Sequence, residues 1–252
     1  MSEIYFFNPK DNYMKILLSI LLVLIIAGIV IVISYYRITS FVNDIDIEEP
    51  IDGDDKGYTM PSKGEVKMNL YATSVFMKPA YKSIVKTMHL DGDEKVMDFG
   101  SGSGPASELI ASVLENGGGQ LTCLDISETW MKVVKRRLQD YKDIEYLLGD
   151  ITQMELRENS YDVVLIHFVL HDIPGDKRSG IIHKINYILK PGGRLVIREP
   201  SGNQHGMPEA EIRELMLSNG LTEKTFKSRK ALLFMPVNEG IFEKKIQIIL
   251  GN

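Results

Sequence analysis

Val96-Met97-Asp98-Phe99-Gly100-Ser101-Gly102-Ser103-Gly104 is the run around which the chain is organised. An apolar strand end meets an acidic residue, and three glycines follow at alternate positions. Residues 105–114 then have helical spacing, with apolar side chains on one face. A strand, a glycine turn and a helix N-terminus form a place where a ligand can approach bare backbone. Many α/β proteins use a glycine loop for turn geometry alone, so its function depends on the surrounding sequence.

The composition is that of a chain with a large hydrophobic core. Of 252 residues, 44% are hydrophobic and 25% are charged, which suits one large domain or two small ones. The formal net charge of −5 argues against a nucleic-acid backbone as the main partner, because such proteins carry basic patches. The single cysteine, Cys123, excludes a disulfide within the chain. The five histidines are not at ligand spacings, so no metal site is predicted.

Residues 16–33 contain no charged residue, and only Ser19 and Gly28 interrupt their apolar character. In a helix they span about 27 Å, which matches the hydrocarbon core of a bilayer. A cleaved signal peptide fits less well, because the apolar run is long and no small-residue cleavage site follows it. A core helix that is apolar on every face is unusual in a domain of this size. We therefore predict a short tail over residues 1–15 and a transmembrane helix over residues 16–36.

An acidic segment separates this helix from the remaining sequence. Seven residues between Asp44 and Asp55 are acidic, and Pro50 and Gly53 lie among them. Such a segment repels itself and stays solvated, so residues 37–57 are predicted to be a linker. A calcium loop is the alternative, but the oxygen-bearing residues lack the EF-hand spacing.

Residues 58–252 alternate between strand and helix patterns. A helical lead-in, broken at Pro79, precedes the strand that ends at Phe99. Further strands are predicted at 120–124, 144–148, 161–168 and 194–198, and helices at 105–114, after Ser127, at 176–189 and at 208–218. The remainder is β-rich, with a turn predicted at Asn238-Glu239-Gly240. This alternation predicts an α/β fold with a doubly wound, mostly parallel sheet.

Five motifs in order carry a resemblance to a known family. They are Asp98 to Gly104, Asp125 at the end of the second strand, Gly149-Asp150-Ile151, Asp162 to His167, and Leu189 to Leu195. On these motifs, residues 58–252 resemble the class I S-adenosylmethionine-dependent methyltransferases. The resemblance implies a seven-stranded Rossmann-like sheet, S-adenosyl-L-methionine as the cofactor, and methyl transfer as the activity.

The resemblance also implies cofactor contacts at the strand ends. The glycine-loop backbone would meet the carboxylate of the methionine tail, and Asp98 would meet its ammonium group, directly or through water. Asp125 would accept hydrogen bonds from the ribose hydroxyls, and Asp150 from the adenine amine. The implied cofactor residues are Asp98, Gly100, Ser101, Gly102, Gly104, Asp125, Ile126, Asp150, Ile151 and His167.

Two other functions stay open at this point. A nicotinamide-dependent oxidoreductase also has a glycine loop and an acid about 20 residues later. Its G-x-G-x-x-G pattern, however, places the last glycine where Pro105 or Ser107 stands, and it leaves Asp98 unexplained. The second alternative is a binding protein or scaffold that keeps the cofactor fold without catalysis, which the intact motif residues disfavour.

The residues after the fourth strand bear on the methyl acceptor. Residues 167–174 lack the Asp/Asn-Pro-Pro-Tyr/Phe signature of nucleic-acid and glutamine amino methyltransferases, and they resemble the loop of small-molecule, lipid or quinone methyltransferases. A general base is needed only if the acceptor must lose a proton. His171 is then the candidate catalytic base, or else an orienting or packing residue. Candidate substrate residues are Tyr71, Glu199 and His205.

The predicted membrane helix narrows the expected acceptor. An enzyme held at the bilayer can reach a lipid or a prenylated quinone, although an anchor can also localise an enzyme that acts on a soluble acceptor. Lys10 and Lys15 before the helix and Arg37 after it slightly favour a cytoplasmic N-terminus, which would put the large domain outside. Because the cofactor is cytoplasmic, we instead expect a single-pass membrane protein whose catalytic domain faces the cytoplasm.

Overall fold

In the computed structural model, the described part of the N-terminal unit is one long helix. The structure describes residues 9–48, 60–202, 206–230 and 235–246. It divides into two units, Met1–Asp44 and Ile45–Asn252. Helix α1 spans Pro9–Asn43, and its most apolar 18-residue window has a mean hydropathy of 3.5 and is 0% buried. By length and composition α1 could cross a membrane, a test that a signal sequence also passes. It continues past residue 36 because residues 37–43 contain no proline or glycine.

Two helices and a π-helical segment precede the sheet in the second unit. They are α2 Lys63–Tyr71, the π segment Ala72–Phe76 and α3 Lys78–Thr87. A capping box begins α2: Ser62 Oγ accepts from Glu65 N at 3.3 Å, and Glu65 Oε2 accepts from Ser62 N at 2.8 Å. The helical lead-in does not break at Pro79 itself. The break is the bend at Met77, which ends the π segment and caps α3, and Pro79 lies in the first turn of α3, where a helix needs no N–H donor.

Seven strands form one sheet in the second unit. The strands are β1 Lys95–Phe99, β2 Gln120–Asp125, β3 Ile144–Leu148, β4 Tyr161–His167, β5 Leu189–Pro200, β6 Leu221–Lys230 and β7 Pro236–Lys244. Their order is β3-β2-β1-β4-β5-β7-β6. Strands β1 to β5 pair in parallel, and β7 is antiparallel to both β5 and β6. The prediction of a mostly parallel, seven-stranded α/β sheet is confirmed.

Helices cover both faces of this sheet. They are α4 Pro105–Leu114, α5 Glu128–Arg137, α6 Gly175–Ile188 and α7 Glu209–Ser218, in addition to α3. Alternate β1 residues enter two cores, Val96 with α3, α4 and α5, and Met97 with α6 and α7, as the two-residue period of a strand requires. The strand order reverses between β1 and β4. Open α/β sheets bind ligands outside the carboxyl ends of the strands at such a reversal.

The turn predicted at Asn238-Glu239-Gly240 is wrong, because these residues lie inside β7. Asn and Gly favour turns in sequence, but here the polar side chains have buried partners. Asn238 Nδ2 donates to the carbonyl oxygen of Met207 at 2.8 Å, and Glu239 Oε2 accepts from Arg198 Nε at 2.7 Å. These tertiary hydrogen bonds hold the segment in the sheet.

Candidate functional site

The glycine loop between β1 and α4 bends through left-handed backbone angles. The φ angle is 72° at Gly100, 52° at Gly102 and 78° at Gly104, values that residues with side chains rarely adopt. A Cβ at Gly100 would lie 2.4 Å from Val169 Cγ2, and one at Gly104 would lie 2.6 Å from Val134 Cγ2. A Cβ at Gly102 would meet nothing within 4 Å. Two of the glycines are thus needed for packing, while the third leaves bare backbone open to a ligand.

A cavity of about 690 Å³ opens on this loop, which is the size of a small-molecule site. Its walls come from the carboxyl ends of β1 and β2, the segments after β3 and β4, and the start of α6. The predicted site residues that line it are Gly100, Gly102, Asp125, Ile126, Asp150 and Ile151. The predicted residues Asp98, Ser101, Gly104, His167 and His171 lie outside this lining. The cavity therefore brings together the predicted residues of three strand ends.

Asp125 links the end of β2 to the glycine loop. Its Oδ2 accepts from Gly102 N at 2.8 Å, and its Oδ1 accepts from Ser127 N at 2.9 Å. The side chain is only 7% exposed, and burial raises the pKa of this carboxyl while the backbone donors oppose the rise. Ser127 in turn caps α5 through its Oγ, which accepts from Trp130 N at 3.3 Å. The carboxylate is fixed in position at the cavity wall.

Asp98 lies beneath the loop rather than on the cavity surface. It is 2% exposed, and its Oδ2 accepts from Ser107 Oγ at 2.5 Å. Burial raises the pKa of Asp98 to about 6, and the nearby Asp125 charge adds to the rise, while the Ser107 hydrogen bond opposes it. A second polar group of the loop, Ser101 Oγ, is buried and has no hydrogen-bond partner in the described part of the chain. The loop thus holds a negative charge and an unused hydroxyl.

The segments after β2 and β3 form the opposite wall. Ile126 is 54% exposed, whereas Ile151 is 1% exposed. Asp150 Oδ1 accepts from the N–H and the hydroxyl of Thr152, both at 2.8 Å, which caps a short 3₁₀ turn. Trp130 also lines this wall. It is only half-buried, and no sequence motif marked it as a site residue. The sequence signal that could have identified Trp130 is its position in the first turn of α5, directly after the strand that ends at Asp125.

His167 ends β4 in an aromatic environment. Its ring centroid lies 4.9 Å from that of Tyr81 and 4.3 Å from that of Phe168. It is 8% exposed, and its Nε2 is buried with no hydrogen-bond partner among the residues described. Burial, followed by the Arg198 charge, lowers the pKa of His167 to about 3, so the ring is neutral at physiological pH.

His171 is held by Glu199, an arrangement that the sequence did not predict. His171 Nδ1 lies 2.7 Å from Glu199 Oε2, while Glu199 Oε1 accepts from the N–H groups of Val169 at 3.0 Å and Leu170 at 2.9 Å. The Glu199 hydrogen bond raises the pKa of His171, against burial. Glu199, a predicted substrate residue, belongs to β5 rather than to a loop and is 0% exposed. It therefore supports His171 and its loop instead of presenting its carboxylate to solvent.

The other predicted substrate residues are less connected to the cavity. Tyr71 ends α2, and its ring centroid lies 5.6 Å from that of Phe76. It is absent from the cavity lining, although Ser103 Oγ of the glycine loop donates to Asn69 Oδ1 of α2 at 2.6 Å. His205 lies outside the described residues. Within the described ranges, no group of three or more His, Cys, Asp or Glu side chains could hold a metal ion.

Comparison with known sequences gives a consistent result. Residues 97–197 match the family model described as a methyltransferase domain. Similar curated proteins include the demethylmenaquinone methyltransferase of Paenarthrobacter aurescens, 33% identical over 116 residues that cover 46% of this chain and 42% of that protein. The enzyme of the same description from Staphylococcus haemolyticus is 29% identical over 120 residues that cover 48% of this chain and 49% of that protein. The chain thus spans less than half the length of these relatives.

Solved structures share the fold. A SAM-dependent methyltransferase of Methanosarcina mazei has a TM-score of 0.58 at 17% identity, covering 65% of this chain and 98% of its own. Magnesium protoporphyrin IX methyltransferase of Synechocystis with bound SAM has a TM-score of 0.56 at 19% identity, covering 71% and 83%. A [4+2]-cyclase also reaches 0.58 at 12% identity, covering 84% and 92%. The predicted methyltransferase fold is confirmed, and the cyclase demonstrates that the fold alone does not fix the reaction.

Proposed function

We propose that this chain, which carries a class I S-adenosylmethionine-dependent methyltransferase domain, transfers a methyl group to a small-molecule acceptor in the membrane, a lipid or a quinone-like compound. The observation that carries the proposal is one cavity at the sheet's switch point that joins open space at the glycine loop, the carboxylates of Asp125 and Asp150 and apolar side chains. S-adenosyl-L-methionine supplies a methyl group that is already activated on its sulfonium sulfur.

The residues at the cavity fit this cofactor. The Gly102 N–H is used by Asp125, but the space beside the Gly102 Cα is open and lies near the N-terminus of α4, which suits the carboxylate of the methionine tail. The unused hydroxyl of Ser101, buried in the same loop, would add a donor. Asp125 would accept from the ribose hydroxyls, and the Asp150 oxygen that Thr152 does not use would accept from the adenine amine. The exposed side chain of Ile126 would pack on the ring, which gives a reason for its 54% exposure on a cavity wall.

His171 and Glu199 supply a general base for an acceptor that must lose a proton. Glu199 is the positioning residue: it faces Nδ1 of His171, so that Nε2 is the atom that would take the proton. The carboxylate of Asp172 lies 3.4 Å from that Nε2 and would stabilise the protonated ring. Because Glu199 also binds the N–H groups of Val169 and Leu170, the base and the cavity wall are held by one side chain.

Three observations support a membrane-resident acceptor, and we keep the catalytic domain on the cytoplasmic side because the cofactor is cytoplasmic. Helix α1 is long and apolar enough to cross a bilayer, and we propose that it is a retained anchor. Phe168, Val169 and Ile173 give the cavity wall after β4 apolar surface beside the carboxylate of Asp172. The similar curated proteins are named demethylmenaquinone methyltransferases, and a quinone with an apolar tail would partition into the bilayer beside the anchored domain.

The activity test is transfer of a labelled methyl group from S-adenosylmethionine to a membrane lipid extract and to a demethylated quinone, using the full chain. Asp125→Asn is expected to lower kcat/KM about 10–100-fold, the effect of losing hydrogen bonds to a charged group. Glu128→Gln is the matched control, because Glu128 is an exposed acid three residues later that pairs with Lys132. Equal activity of the two variants would contradict the assigned role of Asp125.

Cofactor binding can be measured separately from transfer. Trp130 is the single tryptophan of the chain and lines the cavity, so its fluorescence should change when S-adenosylmethionine is added. Binding without transfer to any extract would favour the scaffold function. An unchanged emission together with no transfer would refute the methyltransferase proposal.

A further inference from the structure

A basic region lies outside the cofactor cavity of this acidic protein. Residues 60–87, which include α2, the π segment and α3, contain five lysines and one acid, Glu65. The chain as a whole has a net charge of −5. The carboxylate of Glu65 is engaged by Ser62 in the capping box. The lead-in helices therefore present positive charge on a molecule that is negative elsewhere.

Large apolar side chains are exposed on the same element. Met68 is 71% exposed and Phe76 is 51% exposed. With Ala72 they occupy every fourth position from α2 into the π segment, so they follow one another along one side of the helix. The ring of Tyr71 packs edge-on against Phe76. Single exposed apolar residues are ordinary, but a continuous stripe marks an interaction surface.

The five lysines lie on the two helices that precede and follow the π segment. On α2, Lys63 and Lys67 are four residues apart, and Lys67 directly precedes Met68. On α3, Lys78, Lys82 and Lys86 recur every fourth residue. The three α3 lysines are exposed. In the described part of the structure, Lys67 and the three α3 lysines form no salt bridge, so their charges are available to a partner. Apolar residues bordered by unpaired lysines are the pattern of a helix that lies in a membrane interface.

We propose that α2, the π segment and α3 form a docking face for an anionic bilayer surface. Met68 and Phe76 enter the apolar side of the interface, and the lysines contact the lipid phosphates. A bilayer satisfies both properties at once, because it presents anionic headgroups directly over hydrocarbon. The inference shares its membrane with the proposed anchor α1, but it does not depend on methyl transfer.

The docking face is connected to the cofactor loop. Asn69 follows Met68 in sequence, and its Oδ1 accepts from Ser103 Oγ of the glycine loop at 2.6 Å. Thr73, in the π segment, is 6% exposed and donates through its hydroxyl to the carbonyl oxygen of Asn69 at 2.8 Å. Docking would therefore hold the glycine loop close to the bilayer, where a lipid or quinone-like acceptor would be.

The test uses the full chain with Phe76→Cys carrying an environment-sensitive fluorophore. The native Cys123 is buried and so does not compete for the label. The protein is reconstituted into vesicles of phosphatidylcholine alone or with phosphatidylserine, each containing nitroxide-labelled lipid as a quencher. Strong quenching in the phosphatidylserine vesicles is expected. The control label at Leu217→Cys, which is 52% exposed on α7, should be quenched much less.

Charge variants establish the cause. Lys78→Gln and Lys82→Gln should each lower the docked-to-undocked ratio about fivefold, the contribution of one lysine near an anionic surface, and added salt should act in the same direction. Unchanged Trp130 emission confirms that the variants remain folded. If the protein floats with the vesicles but the labels at positions 76 and 217 are quenched equally, the docking face is overturned and the anchor α1 is not. If the protein floats with neither kind of vesicle, both proposals are overturned. The emission of the fluorophore at position 76 is also measured in detergent without lipid. A blue shift that grows with protein concentration assigns the face to a second copy of the chain and overturns the proposal.

Discussion

Replacing Asp98 by asparagine is expected to stabilise the fold at neutral pH while weakening cofactor binding. Asp98 is 2% exposed and accepts a hydrogen bond from Ser107 Oγ at 2.5 Å. Burial raises the pKa of its carboxyl from the ordinary 3.8 to about 6. At ~1.4 kcal/mol per pH unit, keeping the ionised group in the folded state costs about 3 kcal/mol. An asparagine oxygen can still accept from Ser107, but it carries no charge.

The pH dependence follows from the order of the two pKa values. Above the folded-state pKa of about 6, the carboxylate of Asp98 is ionised in both states, and the full penalty is present. As the pH falls from there toward the ordinary value of 3.8, the folded state binds the proton first and the wild type gains stability. The stability of Asp98→Asn lacks this dependence on pH, because asparagine does not titrate. Its Tm should exceed that of the wild type by up to roughly 6–12 °C at neutral pH and match it near pH ~4.

Thermal unfolding of the full chain in detergent, followed by Trp130 fluorescence across this pH range, measures the difference. Ser107→Ala is the control: it keeps the carboxylate but removes a hydrogen bond that lowers the pKa of Asp98, so the gain in stability as the pH falls should begin at a higher pH than in the wild type. S-adenosylmethionine should raise the Tm of the wild type by mass action and that of Asp98→Asn much less. An asparagine variant that is less stable at neutral pH, with the wild-type slope, would refute the reasoning.

Three further substitutions test the base and the loop. Glu199→Gln should shift the acid limb of the activity–pH profile to lower pH. The Glu199 hydrogen bond is the main cause that raises the pKa of His171, and a base must be unprotonated to act. An acid limb that does not move would contradict the role of His171 as the base. Gly100→Ala should destabilise the fold by about 2–5 kcal/mol, through left-handed strain and a Cβ placed 2.4 Å from Val169 Cγ2. Gly102→Ala, which meets nothing within 4 Å, should lose only about 1–2 kcal/mol. Equal denaturant midpoints for the two glycine variants would argue against the packing explanation.

The strand ends of the site could be predicted because their signal is local. Asp98, Asp125 and Asp150 each stand at or directly after an apolar run, and the carboxyl ends of parallel strands meet at one edge of a sheet. The structure places Asp125 and Asp150 on one cavity and Asp98 beneath the adjoining loop. Local periodicity and parallel strand pairing were therefore sufficient to predict that these three acids lie at one edge of the sheet.

The contacts that orient the site depend on distant residues, and no local pattern contains them. His171 and Glu199 are 28 residues apart, and they meet because β4 and β5 pair in parallel and end together. Arg198 and Glu239 are 41 residues apart, and their buried pairing keeps Asn238-Glu239-Gly240 in β7 although that sequence is typical of a turn. In both cases a buried charge is stabilised by a partner from a neighbouring strand or its loop, so sequence propensity is overridden.

The electrostatics of the loop also discriminate between the two cofactors that a glycine loop can serve. Burial raises the pKa of both Asp98 and Asp125, and the charge of Asp125 raises that of Asp98 further. Two carboxylates that repel each other in a poorly solvated place favour a cationic ligand, which relieves the repulsion. S-adenosylmethionine carries an ammonium and a sulfonium group, whereas the pyrophosphate of a nicotinamide dinucleotide would add negative charge beside them. The buried acids therefore argue against the oxidoreductase alternative independently of the glycine spacing, and they explain why an acid precedes the loop.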